Sequence, residues 1–483
     1  MMSIAPTVVA AARATVARVP DAEAVVDLGT GRRLTYAQLW ERARRVAGGL
    51  AAERIGAGER VGVALPNGAD WTVAFLGVLL AGAIPVPINP RLTGPERQHI
   101  VTDSGAVRVL DAELPEGGPV EFDDVDPESP AAIFYTSGTT GAPKGAVLSH
   151  RALLSAAEQV RIAYGLDPYD GLRALVAAPL FHVLACGMQW IPALVSGGCV
   201  VLLPAFEVGA WVAALEDEQI EILNGVPAMF WQALRHETFR GLDVSGVRVL
   251  SYGAAPTPPS QARALREAFP RARLAPGYGL TEAPCVTGLQ DADAVDHPGS
   301  VGTAVAGTEL RLLGPEADAG IGQLLVRGPQ LMSGYWGRPE ATAEVLVDGW
   351  LHTGDLVRID PEGRVFMLDR RTDLINRGGE NVYSVEVEAA LAACPAVAES
   401  AVVGVPDQRL GNRVGACIVP RPGVHFDEEE LVRVARETLA PFKVPELLSL
   451  RSTPLPRNAA GKVDKAALRA RSHWTELPRH PAN

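Results

Sequence analysis

Short apolar runs alternate with helical periodicity along most of the chain. Leu34-Thr35-Tyr36-Ala37-Gln38-Leu39 opens an amphipathic helix. Thr35 stands where an N-cap is wanted, Gln38 completes a capping box, and apolar residues recur at Leu39, Ala43, Val46 and Leu50. Val61-Gly62-Val63-Ala64-Leu65 and Ala131-Ala132-Ile133-Phe134-Tyr135 read as short buried strands. Residues 71–88 carry no charge, but Gly77, Gly82, Pro85 and Pro87 break them into a buried helix and a strand. Residues 174–206 are divided in the same way by Pro179, Pro192 and Gly197-Gly198, giving strand, helix, strand. Further apolar runs at 200–203, 220–223 and 247–251 each lie beside a helical stretch. This alternation predicts an α/β fold: parallel or mixed sheets with helices on both faces.

The texture changes near Asp360-Pro361-Glu362-Gly363-Arg364, which reads as a hairpin turn before Val365-Phe366-Met367-Leu368. The charged run Asp369-Arg370-Arg371-Thr372-Asp373 follows. A smaller α+β pattern comes next, with a helix at 385–393, strands at 399–405 and 416–419, and a helix at 427–439. Two domains are expected, 1–369 and 370–483, the second small and mobile about 370–373. The tail from Ser472 is expected to be loose.

Composition narrows the function classes. With 483 residues, 47% apolar and 21% charged, the chain can bury two cores. A net charge of −12 argues against general nucleic-acid binding and against docking on anionic membranes, while leaving room for a local basic funnel. Arg13 and Arg18 interrupt the Ala/Val-rich N-terminus, which reads as a helix rather than a signal peptide. No integral membrane association and a cytoplasmic location are expected, as a monomer or homodimer. Cys186, Cys199, Cys285, Cys394 and Cys417 lie far apart without a CxxC pair. They read as buried thiols rather than a disulfide framework or metal cluster.

One stretch concentrates chemistry: Tyr135-Thr136-Ser137-Gly138-Thr139-Thr140-Gly141-Ala142-Pro143-Lys144-Gly145. Glycines let backbone N–H groups approach oxyanions, hydroxyls donate to phosphate oxygens, and Lys144 adds a point charge. Following an apolar strand, it would leave a strand end, where ligands sit in open α/β sheets. It is not a Walker loop, since Pro143 precedes and Gly145 follows the lysine. Composition alone also fits a polar surface loop. The order of its residues resembles the phosphate loop of the adenylate-forming superfamily: acyl- and aryl-CoA ligases, luciferases and adenylation domains of peptide synthetases.

The resemblance extends from the Thr35 helix to Lys462, closest to stand-alone fatty or aryl acyl-CoA ligases. It implies an ATP/AMP site in which Thr136, Ser137, Gly138, Thr139, Thr140, Gly141 and Lys144 hold the β- and γ-phosphates. Ser251-Tyr252-Gly253-Ala254-Ala255-Pro256 matches the turn against the adenine, though alone it is a tight βα turn. In Gly277-Tyr278-Gly279-Leu280-Thr281-Glu282, Tyr278 would stack on the purine, Thr281 donate to the α-phosphate, and Glu282 hold Mg2+. Asp355, in Thr353-Gly354-Asp355, would accept from the ribose hydroxyls, with Arg370 reaching ribose and phosphate.

Thr372 stands at the hinge position, where the family usually has Asp or Lys. Arg377-Gly378-Gly379-Glu380-Asn381-Val382-Tyr383 resembles the loop lining the thiol tunnel, with Gly378, Gly379 and Glu380 as its residues. Pro454-Leu455-Pro456-Arg457-Asn458-Ala459-Ala460-Gly461-Lys462 matches the catalytic-lysine motif. Lys462, Glu282, Thr281 and His182 are the implied catalytic set.

The implied reaction activates a carboxylic acid as acyl-AMP, with release of pyrophosphate, and then transfers the acyl group to coenzyme A. ATP, Mg2+ and CoA are therefore expected, with a separate acyl carrier protein as the alternative acceptor, since no carrier domain follows Lys462. The implied acid pocket is His182, Gly187, Met188, Asn224, Gly225, Gly253 and Gly277. A lone histidine is also often a satisfied core residue. His182 cannot supply the anion that an α-amino acid needs. Gly277 stands where malonyl-CoA ligases tend to carry arginine. The expected substrate is a monocarboxylic fatty or aryl acid. An inactive nucleotide-binding homologue is the remaining alternative.

Overall fold

The computed structural model describes residues 5–122, 125–136, 143–253, 257, 259–288, 293–370, 373–378, 380–458 and 462–478. The largest sheet has seven strands, in the order Arg273–Leu274, Val249–Tyr252, Ile222–Gly225, Arg173–Val176, Cys199–Leu202, Glu23–Asp27 and Arg32–Thr35. Its pairings are parallel apart from the closing hairpin Glu23–Asp27/Arg32–Thr35. Alternate side chains enter two different cores. Val25, Val200 and Leu202 pack with helices Val8–Arg18, Tyr36–Ala52 and Ala69–Leu80. Val26, Val201 and Leu203 pack with helices Val208–Asp217 and Pro227–Ala233. Helices therefore cover both faces, as the strand–helix alternation requires.

The capping box forms as expected. Thr35 accepts from Gln38 N–H, and Gln38 reaches back to the Thr35 N–H, starting helix Tyr36–Ala52. Residues 71–88 resolve into the buried helix Ala69–Leu80 and the strand Ile84–Pro87. Among the described residues no helix is long and apolar enough to cross a membrane.

Three antiparallel sheets carry the chain toward its C-terminal part. One pairs Pro130–Thr136 with Lys144–Ser149 and adds Gly334–Tyr335. A second is built on the hairpin Gly277–Leu280/Ala283–Gly288. The third runs from Glu309–Leu313 to Val365–Arg370, centred on Trp350–Ile359. From Ile375 onward a six-stranded sheet with helices Ser384–Leu391 and Glu428–Arg436 has its own core, including Val387, Leu391, Val402, Ile418 and Leu448.

Two expectations need correction. The strand containing Ala131–Tyr135 does not end a parallel sheet. The apolar run Ala146-Val147-Leu148 pairs back on it antiparallel, with Thr136 opposite Lys144 on either side of the loop. Nor is the tail loose from Ser472. Thr475–Glu476 pairs with Leu447–Leu450, Glu476 meets Arg413 at 2.7 Å, and Leu477 is buried in the small core.

The N-terminal helix is fixed by a titratable group. His150 starts helix His150–Tyr164, and its Nδ1 accepts the Val8 N–H at 3.3 Å. Burial lowers its pKa to about 4. The folded value lies below the unfolded one, so the unfolded chain takes up the proton first and stability falls as pH drops from about 6.5 towards 4. The neutral ring therefore supplies stability on the order of 2–3 kcal/mol above that window. His150→Gln keeps an acceptor without the titration, and thermal melts from pH 7 to 4.5 should show a flatter acid-side loss than the parent chain.

Candidate active site

The hairpin strands Pro130–Thr136 and Lys144–Ser149 bring Thr136 opposite Lys144, and the Thr136 hydroxyl donates to the Lys144 carbonyl at 3.4 Å. Ser137, Gly138, Thr139, Thr140 and Gly141, at the tip, lie outside the described residues, as do Ala254 and Ala255. The Lys144 ammonium lies over the Tyr335 ring, 5.1 Å from its centroid.

The second motif is also a hairpin. Gly277–Leu280 runs back as Ala283–Gly288, so Thr281 and Glu282 form its turn. A Cβ on Gly279 would overlap the Pro284 carbonyl, which makes glycine obligatory there. Gly253 bridges Gly277, and a Cβ on Gly253 would lie 2.6 Å from the Gly277 oxygen. Gly253 therefore abuts this hairpin with no side chain between them.

Asp355 is the most enclosed charge of the set, 4% exposed. Tyr278 donates its hydroxyl to Oδ2 at 2.5 Å, and Arg370 Nε lies 3.4 Å from Oδ1. Asp355 and Arg370 are direct partners in the Trp350–Ile359/Val365–Arg370 ladder. The Asp355 N–H donates to the Thr353 hydroxyl, which donates to the Leu324 carbonyl. Burial, then the neighbouring Asp355 carboxylate, pushes the Tyr278 phenol well above its ordinary range, so it stays a donor.

Lys462 reaches the same cleft from the small unit. A short loop positions it: Asn458 N–H donates to the Lys462 carbonyl at 2.8 Å, and Lys462 N–H to Asn458 Oδ1 at 3.1 Å. Its side chain touches the solvent of the cleft, yet protein surrounds the ammonium closely enough to lower its pKa. Crowding is the main cause, and Arg370 adds to it, while Asp355 and Glu282 oppose. His182 faces it. The His182 pKa falls to about 4, through burial first, then Lys462 and Arg91. The ring is therefore neutral and lies against Phe181, tilted 56° to it with centroids 4.5 Å apart.

The remaining acid-pocket positions lie beyond the sheet's C-terminal strand ends and in the helix after His182. That helix contains a π segment, Cys186–Trp190, which holds Gly187 and Met188. Asn224 and Gly225 end strand Ile222–Gly225. Asn224 Oδ1 accepts the Tyr164 hydroxyl at 2.6 Å, a partner not expected from the sequence.

The Gly378 hairpin is held within the small unit. Gly378 N–H donates to Leu410, Arg377 pairs with Glu446 at 2.9 Å, and Glu380 starts the return strand. Beside it opens a polar cavity of about 660 Å3 lined by Arg377, Arg409, Arg413 and Arg436 against Asp407 and Glu446. Thr372 and Gly379 lie outside the described residues.

Among the described residues no group of three or more His, Cys, Asp or Glu side chains is placed to hold a metal ion. Glu282 is a single carboxylate, with Oε1 accepting from the Tyr335 hydroxyl at 2.7 Å. One carboxylate suits an ion that is otherwise bound by phosphates and water, as Mg2+ commonly is.

The chain matches the family model of the AMP-binding enzyme over residues 12–336, and that of the AMP-binding enzyme C-terminal domain over residues 386–462. It is 40% identical over 480 residues to a feruloyl-CoA synthase of Amycolatopsis, covering 94% of this chain and 96% of that one. It is 33% identical over 494 residues to a long-chain-fatty-acid–CoA ligase of Mycobacterium tuberculosis, covering 95% and 96%. The Bacillus subtilis o-succinylbenzoate CoA synthetase in complex with its acyl-adenylate intermediate superposes with a TM-score of 0.87 at 27% identity, covering 95% of this chain and 97% of that one. Its complex with ATP and magnesium superposes at 0.86, also at 27% identity, covering 95% and 99%.

Tyr278→Phe removes one of the two side-chain partners of the Asp355 carboxylate. A hydrogen bond to a charged group contributes about 1.5 kcal/mol or more, so AMP affinity measured by calorimetry should fall roughly tenfold while the fold is retained.

Proposed function

The chain belongs to the AMP-binding enzyme family, and we propose that it is an ATP-dependent, AMP-forming acid–thiol ligase acting on a monocarboxylic fatty or aryl acid with CoA as acceptor. The observation that carries this reading is the convergence of Lys462 with Glu282, Asp355 and Arg370 in one cleft. These groups come from two sheets and a loop, and no structural need brings them together.

A carboxylate is a poor electrophile, and transfer of AMP to it creates a mixed anhydride with a good leaving group. The transfer needs in-line positioning and charge neutralisation rather than a covalent enzyme nucleophile. Asp355 would take the ribose hydroxyls, with Tyr278 and Arg370 fixing the carboxylate. Thr136 and Lys144 would hold the terminal phosphates with the rest of the hairpin tip, and Thr281 would donate to the α-phosphate. Glu282 would hold Mg2+, which would neutralise charge along the polyphosphate. Lys462 would meet the charge that develops between carboxylate and α-phosphate.

Charge selects the acid. Among the described pocket positions, His182 is neutral, and Gly187, Met188, Asn224, Gly225, Gly253 and Gly277 carry no charge. None of these positions itself offers a counter-charge to a second carboxylate or an ammonium, and the cations that act on His182, namely Lys462 and Arg91, come from outside the set; this supports an acid with one ionised end. For the acceptor, the arginine-lined cavity beside the Gly378 hairpin suits a thiol that carries phosphates. CoA is such a thiol. We further propose that the small unit turns about the 370–373 segment between steps, withdrawing Lys462 and bringing in the Gly378–Glu380 hairpin.

Two experiments test this. With ATP, CoA and a panel of acids, mass spectrometry should find acyl-CoA from hexanoate-like or benzoate- and cinnamate-like acids. Turnover of malonate above all of these would overturn the monocarboxylate assignment. Separately, Lys462→Ala should lose adenylation by about 100-fold or more yet still pass acyl groups from supplied acyl-adenylate to CoA. An equal loss of both half-reactions would refute the two-posture scheme.

A further inference from the structure

Tyr335 lies in no motif that the sequence reading used, yet it touches both walls of the phosphate site. Its hydroxyl donates to Glu282 Oε1 at 2.7 Å, and its ring carries the Lys144 ammonium at 5.1 Å. The backbone around it is bonded to the same two walls. Met332 N–H donates to the Glu282 carbonyl at 2.8 Å. Ser333 and Trp336 N–H donate to the Val147 and Gly145 carbonyls at 2.9 and 2.8 Å, and Tyr335 is the ladder partner of Ala146. The Tyr335 N–H itself donates to the Thr342 hydroxyl at 2.9 Å. Residues 332–336 thus form a strap between the Glu282 turn and the Lys144 strand, and Tyr335 is its one side chain known to contact both charges.

From this geometry we infer that Tyr335 is a positioning residue for the metal–polyphosphate complex: its hydroxyl orients the Glu282 carboxylate toward the ion, and its ring holds Lys144 at the phosphates. The inference rests on the ligase reading above. A carboxylate with one oxygen occupied by a phenol loses rotational freedom and presents the other oxygen in a fixed direction. Outer partners of this kind commonly change metal affinity by about 10- to 100-fold. The ring face attracts the ammonium without neutralising it, so Lys144 keeps its full charge for phosphate.

The test separates hydroxyl from ring. ATP is titrated calorimetrically into the parent chain, Tyr335→Phe and Tyr335→Leu, once with Mg2+ and once with EDTA. Tyr335→Phe should bind ATP like the parent in EDTA but lose about tenfold of the gain that Mg2+ brings. Tyr335→Leu should also bind more weakly in EDTA, because Lys144 has lost its platform. AMP affinity and melting temperature should stay at parental values in Tyr335→Phe. An unchanged Mg2+ gain in Tyr335→Phe overturns the role of the hydroxyl, and equal EDTA affinities of the Phe and Leu variants overturn that of the ring. A general loss of stability with weakened AMP binding would show a merely structural residue, and would also overturn it. Because binding is read directly, failure of the ligase assignment would appear separately, as absence of acyl-adenylate formation by the parent chain.

Discussion

The site depends on keeping the Asp355 carboxylate charged where water barely reaches it. An unpaired buried carboxylate costs several kcal/mol or gives up its charge. Here Tyr278, from the hairpin of residues 277–288, and Arg370, from the strand that leads to the small unit, supply the two side-chain partners. Each of these brings its own element with it. Tyr278 brings the Glu282 turn, and Arg370 brings the end of the last large-unit strand. One polar cluster therefore sets the relative places of Asp355, the Glu282 turn and the junction between the units.

The same strand end continues the chain of contacts. Asp369, 4% exposed, accepts the Ser384 N–H at 2.5 Å, and Lys465 bonds the Ser384 hydroxyl at 2.6 Å and Glu388 at 2.8 Å. Lys465 starts the helix Lys465–Arg471, three residues beyond Lys462. The path from Asp355 through Arg370, Asp369, Ser384 and Lys465 is thus the link between the nucleotide side and the lysine-bearing loop. Burial raises the pKa of both Asp369 and Glu388, with Lys465 opposing, as expected where fixed carboxylates share one cation.

Local features were legible in the sequence, and assembled ones were not. The Thr35 capping box, the helix and strand within residues 71–88, and the five buried cysteines follow from neighbours within a few residues. The motif residues Lys144, Glu282, Asp355, Arg370 and Lys462 were found because each lies in a short stretch of distinctive residues. Tyr335, Tyr164 and Lys465 went unseen, since each acts on a residue 53, 60 or 77 to 81 positions away and sits in ordinary surroundings. The phosphate hairpin was misread for a related reason. An apolar run followed by a glycine-rich loop is the same pattern whether the chain next enters a helix or folds back, and only the partner strand decides. The docked tail shows the complementary error: Leu477 and Glu476 find partners in Leu447–Leu450 and Arg413 that a reading of local polarity does not weigh.

The two lysines of the site differ in how they are held, and this difference explains a division of labour between them. Lys144 stands on a hairpin whose neighbours are bonded on both sides, by Pro130–Thr136 and by the 332–336 strap, and its ammonium rests on an aromatic face. Such a group stays put, which suits a clamp on phosphates that must be held while chemistry proceeds elsewhere. Lys462 is held by its two backbone bonds with Asn458, next to the Arg457–Val463 bridge and the Arg457–Glu399 ion pair, all within the small unit. Its ammonium is also the crowded one, with a lowered affinity for its proton. A turn of the small unit, as proposed, would move Lys462 and leave Lys144 where its hairpin and strap hold it, so the two lysines are placed to serve different steps of the proposed reaction.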